Sequence, residues 1–113
     1  MNDLVLHPIK EIRILIPGEP AKFATDLLDT VKATGYTIIS NISGKGHHGF
    51  HTSHAMFNDM ESLVMIITVV PQEKVKPVLS GLAPLFSRYP GVMFVSDVSV
   101  SRPEYFRDFP TTN

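Results

Sequence analysis

Ser43-Gly44-Lys45-Gly46-His47-His48-Gly49 follows directly on an apolar stretch ending at Ile42, and it is the part of this chain best suited to chemistry. Glycine turns the backbone tightly and lets a ligand approach with no Cβ in the way. Successive N–H groups in such a turn form an anion-binding concavity, to which Lys45 adds a positive charge. The spacing Gly44-x-Gly46-x-x-Gly49 also matches the dinucleotide fingerprint, but that motif must open a helix inside a parallel βαβ unit. The residues that follow, Phe50 to Asp59, carry no helical stripe. We therefore read a phosphate-sized loop between two strands. The plain alternative for a lone glycine-rich loop is a flexible hairpin connection.

Four of the five histidines fall in the same region, as His47-His48-x-x-His51-x-x-His54. Histidine is the commonest metal ligand, which makes a zinc or copper site one reading. No helical pattern gathers these imidazoles on one face, and no cysteine or obvious carboxylate joins them, so a polar loop is favoured. Arg88-Tyr89-Pro90-Gly91 forms a second glycine-containing turn, in which Arg88 can meet an anion or simply be solvated. Arg102 lies just past the last strand, with the same two readings. No Gly-x-Ser-x-Gly elbow accompanies the serines, so hydroxyl catalysis has no support.

The elements that must position these residues are legible from periodicity. Ile12, Ile14 and Ile16 alternate with Arg13 and Leu15, giving a strand that Pro17-Gly18-Glu19-Pro20 ends. From Pro20 to Thr34 the residues Phe23, Ala24, Leu27, Leu28 and Val31 fall at helical spacing, with proline in the first turn and Gly35 where a helix commonly ends. Tyr36 to Ile42 reads as the second strand and Leu63 to Val70 as the third, apolar at every position but one. A second helix is expected within Glu73 to Ser87, burying Val75, Val78, Leu79, Leu82, Leu85 and Phe86. Pro77 marks its first turn and Pro84 interrupts its last. Val92 to Val100 is the fourth strand, and the residues from Arg102 onward read as a tail, ordered only if something holds it.

The order β-α-β-β-α-β predicts an α+β, ferredoxin-like fold, a four-stranded antiparallel sheet with two helices on one face. A sheet face left open to water should alternate with polar residues. The third strand does not alternate, and Leu15 stands on the second face of the first. A sheet apolar on both faces and covered on one predicts a homo-oligomer with the sheets facing its centre.

Composition narrows the class. The 113 residues suit one domain, 43% apolar and 19% charged, with a net charge of -1. That balance offers no field to gather nucleic acid. Without cysteine there are no disulfides, thiol nucleophiles or thiolate metal sites. No apolar run approaches the roughly 20 residues that span a bilayer, and the first residues lack the basic start and apolar run of a signal peptide. The expected location is cytoplasmic.

Taken together, the motifs resemble the PII signalling superfamily, whose members are ferredoxin-like trimers with nucleotide sites between subunits. The likeness runs from about Glu11 to Arg102, a core within a single domain of residues 1–113 that leaves 103–113 as tail. Gly35-Tyr36-Thr37 resembles the family's Gly-Met-Thr at the adenine side, which implies nucleotide-binding roles for Gly35, Tyr36 and Thr37. Gly44-Lys45-Gly46-His47 resembles the segment that cradles phosphates at the base of the T-loop, implying such roles for Gly44, Lys45, Gly46 and His47. Arg88-Tyr89-Pro90-Gly91, followed by Met93-Phe94-Val95, resembles the B-loop and its strand, which brings in Arg88 and Gly91. Arg102 falls close to the family's C-terminal arginines.

The departures are informative. The segment between Gly49 and Leu63 is shorter than a typical T-loop and has no tyrosine, so the uridylylation of many nitrogen regulators is not expected there. Lysines that many PII proteins place at the third strand and in the B-loop are Leu63 and Val92 here, and Pro103-Glu104 follows Arg102 where a second arginine is usual. Each lost cation removes a charge-assisted contact to phosphate, which favours ADP or AMP over ATP. The Gly-Lys-Gly loop, compact T-loop and Val98-Ser99-Val100-Ser101-Arg102 resemble the PII-like branch associated with carboxysomes and bicarbonate transport. The resemblance implies a homotrimeric, non-enzymatic sensor of an adenine nucleotide, with bicarbonate as a further ligand. Its signal would pass through the T-loop to a membrane transporter or another protein of inorganic-carbon or nitrogen metabolism, with no membrane insertion of its own. The alternative is a metal-responsive ferredoxin-like trimer, resembling the divalent-cation tolerance proteins, with the histidine-rich loop supplying ligands.

Overall fold

A computed structural model describes residues 5–44 and 62–106. The elements are β1 (His7–Pro17), α1 (Ala21–Thr30), β2 (Thr37–Ile42), β3 (Leu63–Val70), α2 (Val75–Phe86) and β4 (Val92–Val100). Single 3₁₀ turns at Gln72–Lys74 and Pro103–Tyr105 precede α2 and follow β4. The strands form one antiparallel sheet in the order β2-β3-β1-β4. This is the ferredoxin-like arrangement expected from the element order.

The core lies between the sheet and the two helices. Ile12, Ile14 and Ile16 of β1 and Ile66 and Val70 of β3 are fully buried against Ala24 and Leu28 of α1 and Val78, Leu82 and Leu85 of α2. Full burial of one such side chain contributes roughly 1.5–3 kcal/mol. Among the described residues the opposite face is largely apolar and uncovered. Ile39, Val92 and Phe94 stand 46%, 41% and 49% exposed there, beside half-buried Leu15, Met65, Ile67 and Val69. A charged pair on that face joins Arg13 to Glu11, 3.2 Å from Nε to Oε1, with the Ser96 hydroxyl 3.4 Å from the same oxygen.

Several boundaries differ from expectation, each for a local reason. Strand β1 starts at His7, five residues before Ile12, because its register with β4 runs out to His7↔Val100 after β3 has stopped at Lys10↔Val70. Helix α1 ends at Thr30, well short of Thr34, and Gly35 does not terminate it. Lys32 takes the left-handed position instead, at φ 65°. Its N–H donates to the Asp29 carbonyl at 3.1 Å and that of Ala33 to Leu28 at 2.9 Å, the two bonds of a Schellman motif. Pro20 stands at the N-cap, outside the first turn.

In α2, Leu79 is 49% exposed and so does not belong to the buried stripe; Phe23 of α1 is equally exposed. Pro77 lies in the first turn as expected, and the helix continues through Pro84 to Phe86. The helices approach closely at Gly81, where an added Cβ would stand 2.5 Å from a Leu27 methyl. Of the residues read as tail, Pro103–Tyr105 form a 3₁₀ turn, and those from 107 onward lie outside the described residues.

Candidate functional site

The sheet carries its candidate functional residues at two opposite ends. At one end lie the start of β2, the end of β3 and the turn after β4. Here a cleft of about 190 Å³ is lined by residues 34–37, by Ile67, Thr68 and Val69, and by Tyr105 and Phe106. Gly35, Tyr36 and Thr37 thus share one concavity, and register places Thr37 opposite Ile67.

Thr68 holds this end in shape. It is the one polar residue of β3, only 2% exposed, and its Oγ1 donates to the Gly35 carbonyl at 2.7 Å. A buried hydroxyl needs such a partner, and the bond ties the chain before β2 to the sheet. Lys74 does the same from α2's side, with Nζ donating to the Lys32 carbonyl at 2.7 Å. Gly35 itself has no positive φ, and a Cβ there would meet nothing within 4 Å. Neither conformation nor internal packing requires glycine at this position.

Arg102 belongs to the same end. Its NH1 donates to the Tyr105 hydroxyl at 3.0 Å, and its guanidinium carbon sits 5.6 Å from that ring's centroid. Tyr105 and Phe106 meet at a centroid distance of 6.5 Å and an angle of 58°. These aromatics and Thr68 were not among the residues singled out from sequence. The signal for Thr68 was its isolation in an otherwise apolar strand; that for the aromatics was the adjacent pair Tyr105-Phe106 soon after Arg102.

At the other end lie the close of β2 and the turn into β4. Asn41 adopts φ 58°, and the pairing shifts between Ile39↔Met65 and Ile42↔Leu63, so β2 carries a bulge just before Gly44. Asparagine is among the few non-glycine residues at ease there, and a bulge re-aims the strand that carries it. Gly44 is exposed, with open space where a Cβ would be. Gly91 differs sharply. A Cβ there would fall 2.8 Å from both Ile16 Cγ2 and Phe86 Cε1, so glycine is required by packing. Arg88 is exposed beyond α2, its guanidinium 5.9 Å from the centroid of the Tyr89 ring.

Lys45, Gly46 and His47 lie outside the described residues, as do His48, His51 and His54. Among the described residues no group of three or more histidines, aspartates or glutamates is placed to hold a metal. No described helix is long and apolar enough to cross a membrane.

The six residues of β2 span about 20 Å at strand rise, and they separate Gly35–Thr37 from Gly44 within one chain. Arg102 sits with the first group, Arg88 and Gly91 with the second.

Residues 9–105 match the family described as nitrogen regulatory protein P-II. The chain belongs to the P-II family. Among solved structures it is similar to CPII of Thiomonas intermedia K12, a nitrogen regulatory PII-like protein. The CPII structure with ADP, AMP and acetate is 46% identical at a TM-score of 0.81, over 92% of this chain and 99% of that one. The structure with ADP, AMP and bicarbonate is 47% identical at a TM-score of 0.79, over 94% of this chain and all of the other. A PII-like protein from Thermus thermophilus, 24% identical with a TM-score of 0.69 over 89% of this chain and 97% of its own, shares the fold. Comparison with curated proteins finds no match. The P-II assignment agrees with the resemblance carried by Gly35-Tyr36-Thr37, the Gly44 loop and the Arg88 turn.

Proposed function

We propose that this P-II family chain is a sensor that binds an adenine nucleotide, ADP or AMP in preference to ATP, in the cleft between two copies of itself. The observation that carries the reading is the ligand set of its relatives, CPII with ADP, AMP and bicarbonate at 47% identity over nearly the whole chain. The geometry supports a shared site. Candidate base-side residues and candidate phosphate-side residues stand about 20 Å apart in one chain, a strand's length. One copy would offer Gly44, Lys45, Gly46 and His47 to the phosphates, with Arg88 and Gly91 beside them. Gly35, Tyr36 and Thr37 of a neighbour would meet the base and ribose, with Arg102 supplying charge. The open apolar sheet face supports assembly, here as a homotrimer, since a patch of this kind is seldom left to water.

Bicarbonate is the second ligand in this reading. Nucleotide state would order or release residues 47–62, the kind of transition that presents a loop to a partner. The partner would be a transporter or another protein of inorganic-carbon or nitrogen metabolism, and the output binding, not catalysis. The test is calorimetric titration with AMP, ADP and ATP, each with and without bicarbonate. Saturation near one nucleotide per chain, abolished in the Lys45→Ala/Arg102→Ala double variant, is the expected result. Absence of binding by all three nucleotides in every condition would overturn the reading.

A further inference from the structure

We propose that Tyr105 is a positioning residue for nucleotide binding, holding the Arg102 guanidinium at the rim of the cleft formed by Gly35, Tyr36 and Thr37. The inference rests on the sensor reading above and assigns a role within it to a residue outside every motif that carried that reading. Tyr105 lines the cleft. Its hydroxyl accepts from Arg102 NH1 at 3.0 Å, and its ring centroid lies 5.6 Å from the guanidinium carbon. Both contacts are made within one 3₁₀ turn, whose Tyr105 N–H donates to the Arg102 carbonyl at 3.0 Å and whose Phe106 N–H donates to that of Pro103 at 2.9 Å. Backbone and side chain therefore lock residues 102 and 105 together.

The chemistry of the pair favours presentation over sequestration. A guanidinium has five N–H donors in a rigid plane, and the tyrosine oxygen engages NH1 alone, leaving donors on Nε and NH2 for an anion. The ring lies within cation–π range of the guanidinium and, together with the hydroxyl, restrains where those donors point. An exposed arginine beyond the last strand would otherwise lose rotamer freedom on binding; a group already held loses less. Phe106, packed beside Tyr105 at 6.5 Å, backs the ring that does the holding.

The experiment is a double-mutant cycle read by ADP titration of wild type, Tyr105→Phe, Arg102→Ala and the double variant. Tyr105→Phe keeps the ring and removes one hydrogen bond, and should weaken ADP binding about three- to tenfold. In the Arg102→Ala background the same change should have no further effect, since the residue acts through the arginine. Equal weakening in both backgrounds, or none in either, overturns the positioning role while leaving the sensor reading intact. Failure of the wild type to bind overturns both.

Discussion

The two faces of the sheet are built from the same kinds of residue and end in opposite states. On the helix side, Ile12, Ile14, Ile16 and Ile66 are sealed by α1 and α2. On the other side, Ile39, Val92 and Phe94 stand nearly half exposed around the Arg13–Glu11 pair. Strand periodicity assigns residues to one face or the other, yet among the described residues only one face is covered. The difference teaches that the two described helices solve half of the sheet's burial problem. The described candidate residues are likewise divided, between opposite ends of the sheet.

Four substitutions probe that contrast. The largest effect is expected on the sealed face, where Ile14→Ala should lower stability by about 2–5 kcal/mol through lost burial and the cavity left behind. Denaturant unfolding measures it, and a loss below about 1 kcal/mol would mean that the core can collapse around the gap. Next comes a contrast between glycines at the two ends. Gly91→Ala forces a methyl against Ile16 and Phe86 and should destabilise by about 1–3 kcal/mol. Gly35→Ala enters open space and should stay within about 0.5 kcal/mol. Equal melting shifts for the two would contradict the packing at Gly91. The smallest effect on the chain's own fold belongs to the open face. Phe94→Asp should leave the fold within about 0.5 kcal/mol, yet disperse an assembly built on that face to monomers. Sedimentation at matched concentrations reports it, and an unchanged mass would place the assembly contact elsewhere.

Much of the fold was legible because punctuation and periodicity agreed. Leu63–Val70 and Val92–Val100 have the ends read from sequence, each bounded by a proline or a Pro-Gly turn. The misjudged boundaries lie where local preference lost to structure around it. A lysine, not a glycine, took the left-handed position after α1, because the Schellman bonds from Lys32 and Ala33 close the helix there. Residues 7–9 carry little strand signal and became strand through pairing with β4 alone. Leu79 satisfied helical spacing but fell outside the stripe that faces the sheet. The turn at Pro103–Tyr105 had no periodic pattern to betray it.

The sequence by itself determined the element order, the fold class, the family and the apolar character of both sheet faces, since all of these follow from residue type and spacing along the chain. Only the tertiary structure decided that Tyr105 and Thr68 join Gly35 and Arg102 at one end of the sheet while Gly44, Arg88 and Gly91 lie toward the other. Pairing register and the path of a turn bring residues together across long stretches of sequence. Local spacing carries no record of either.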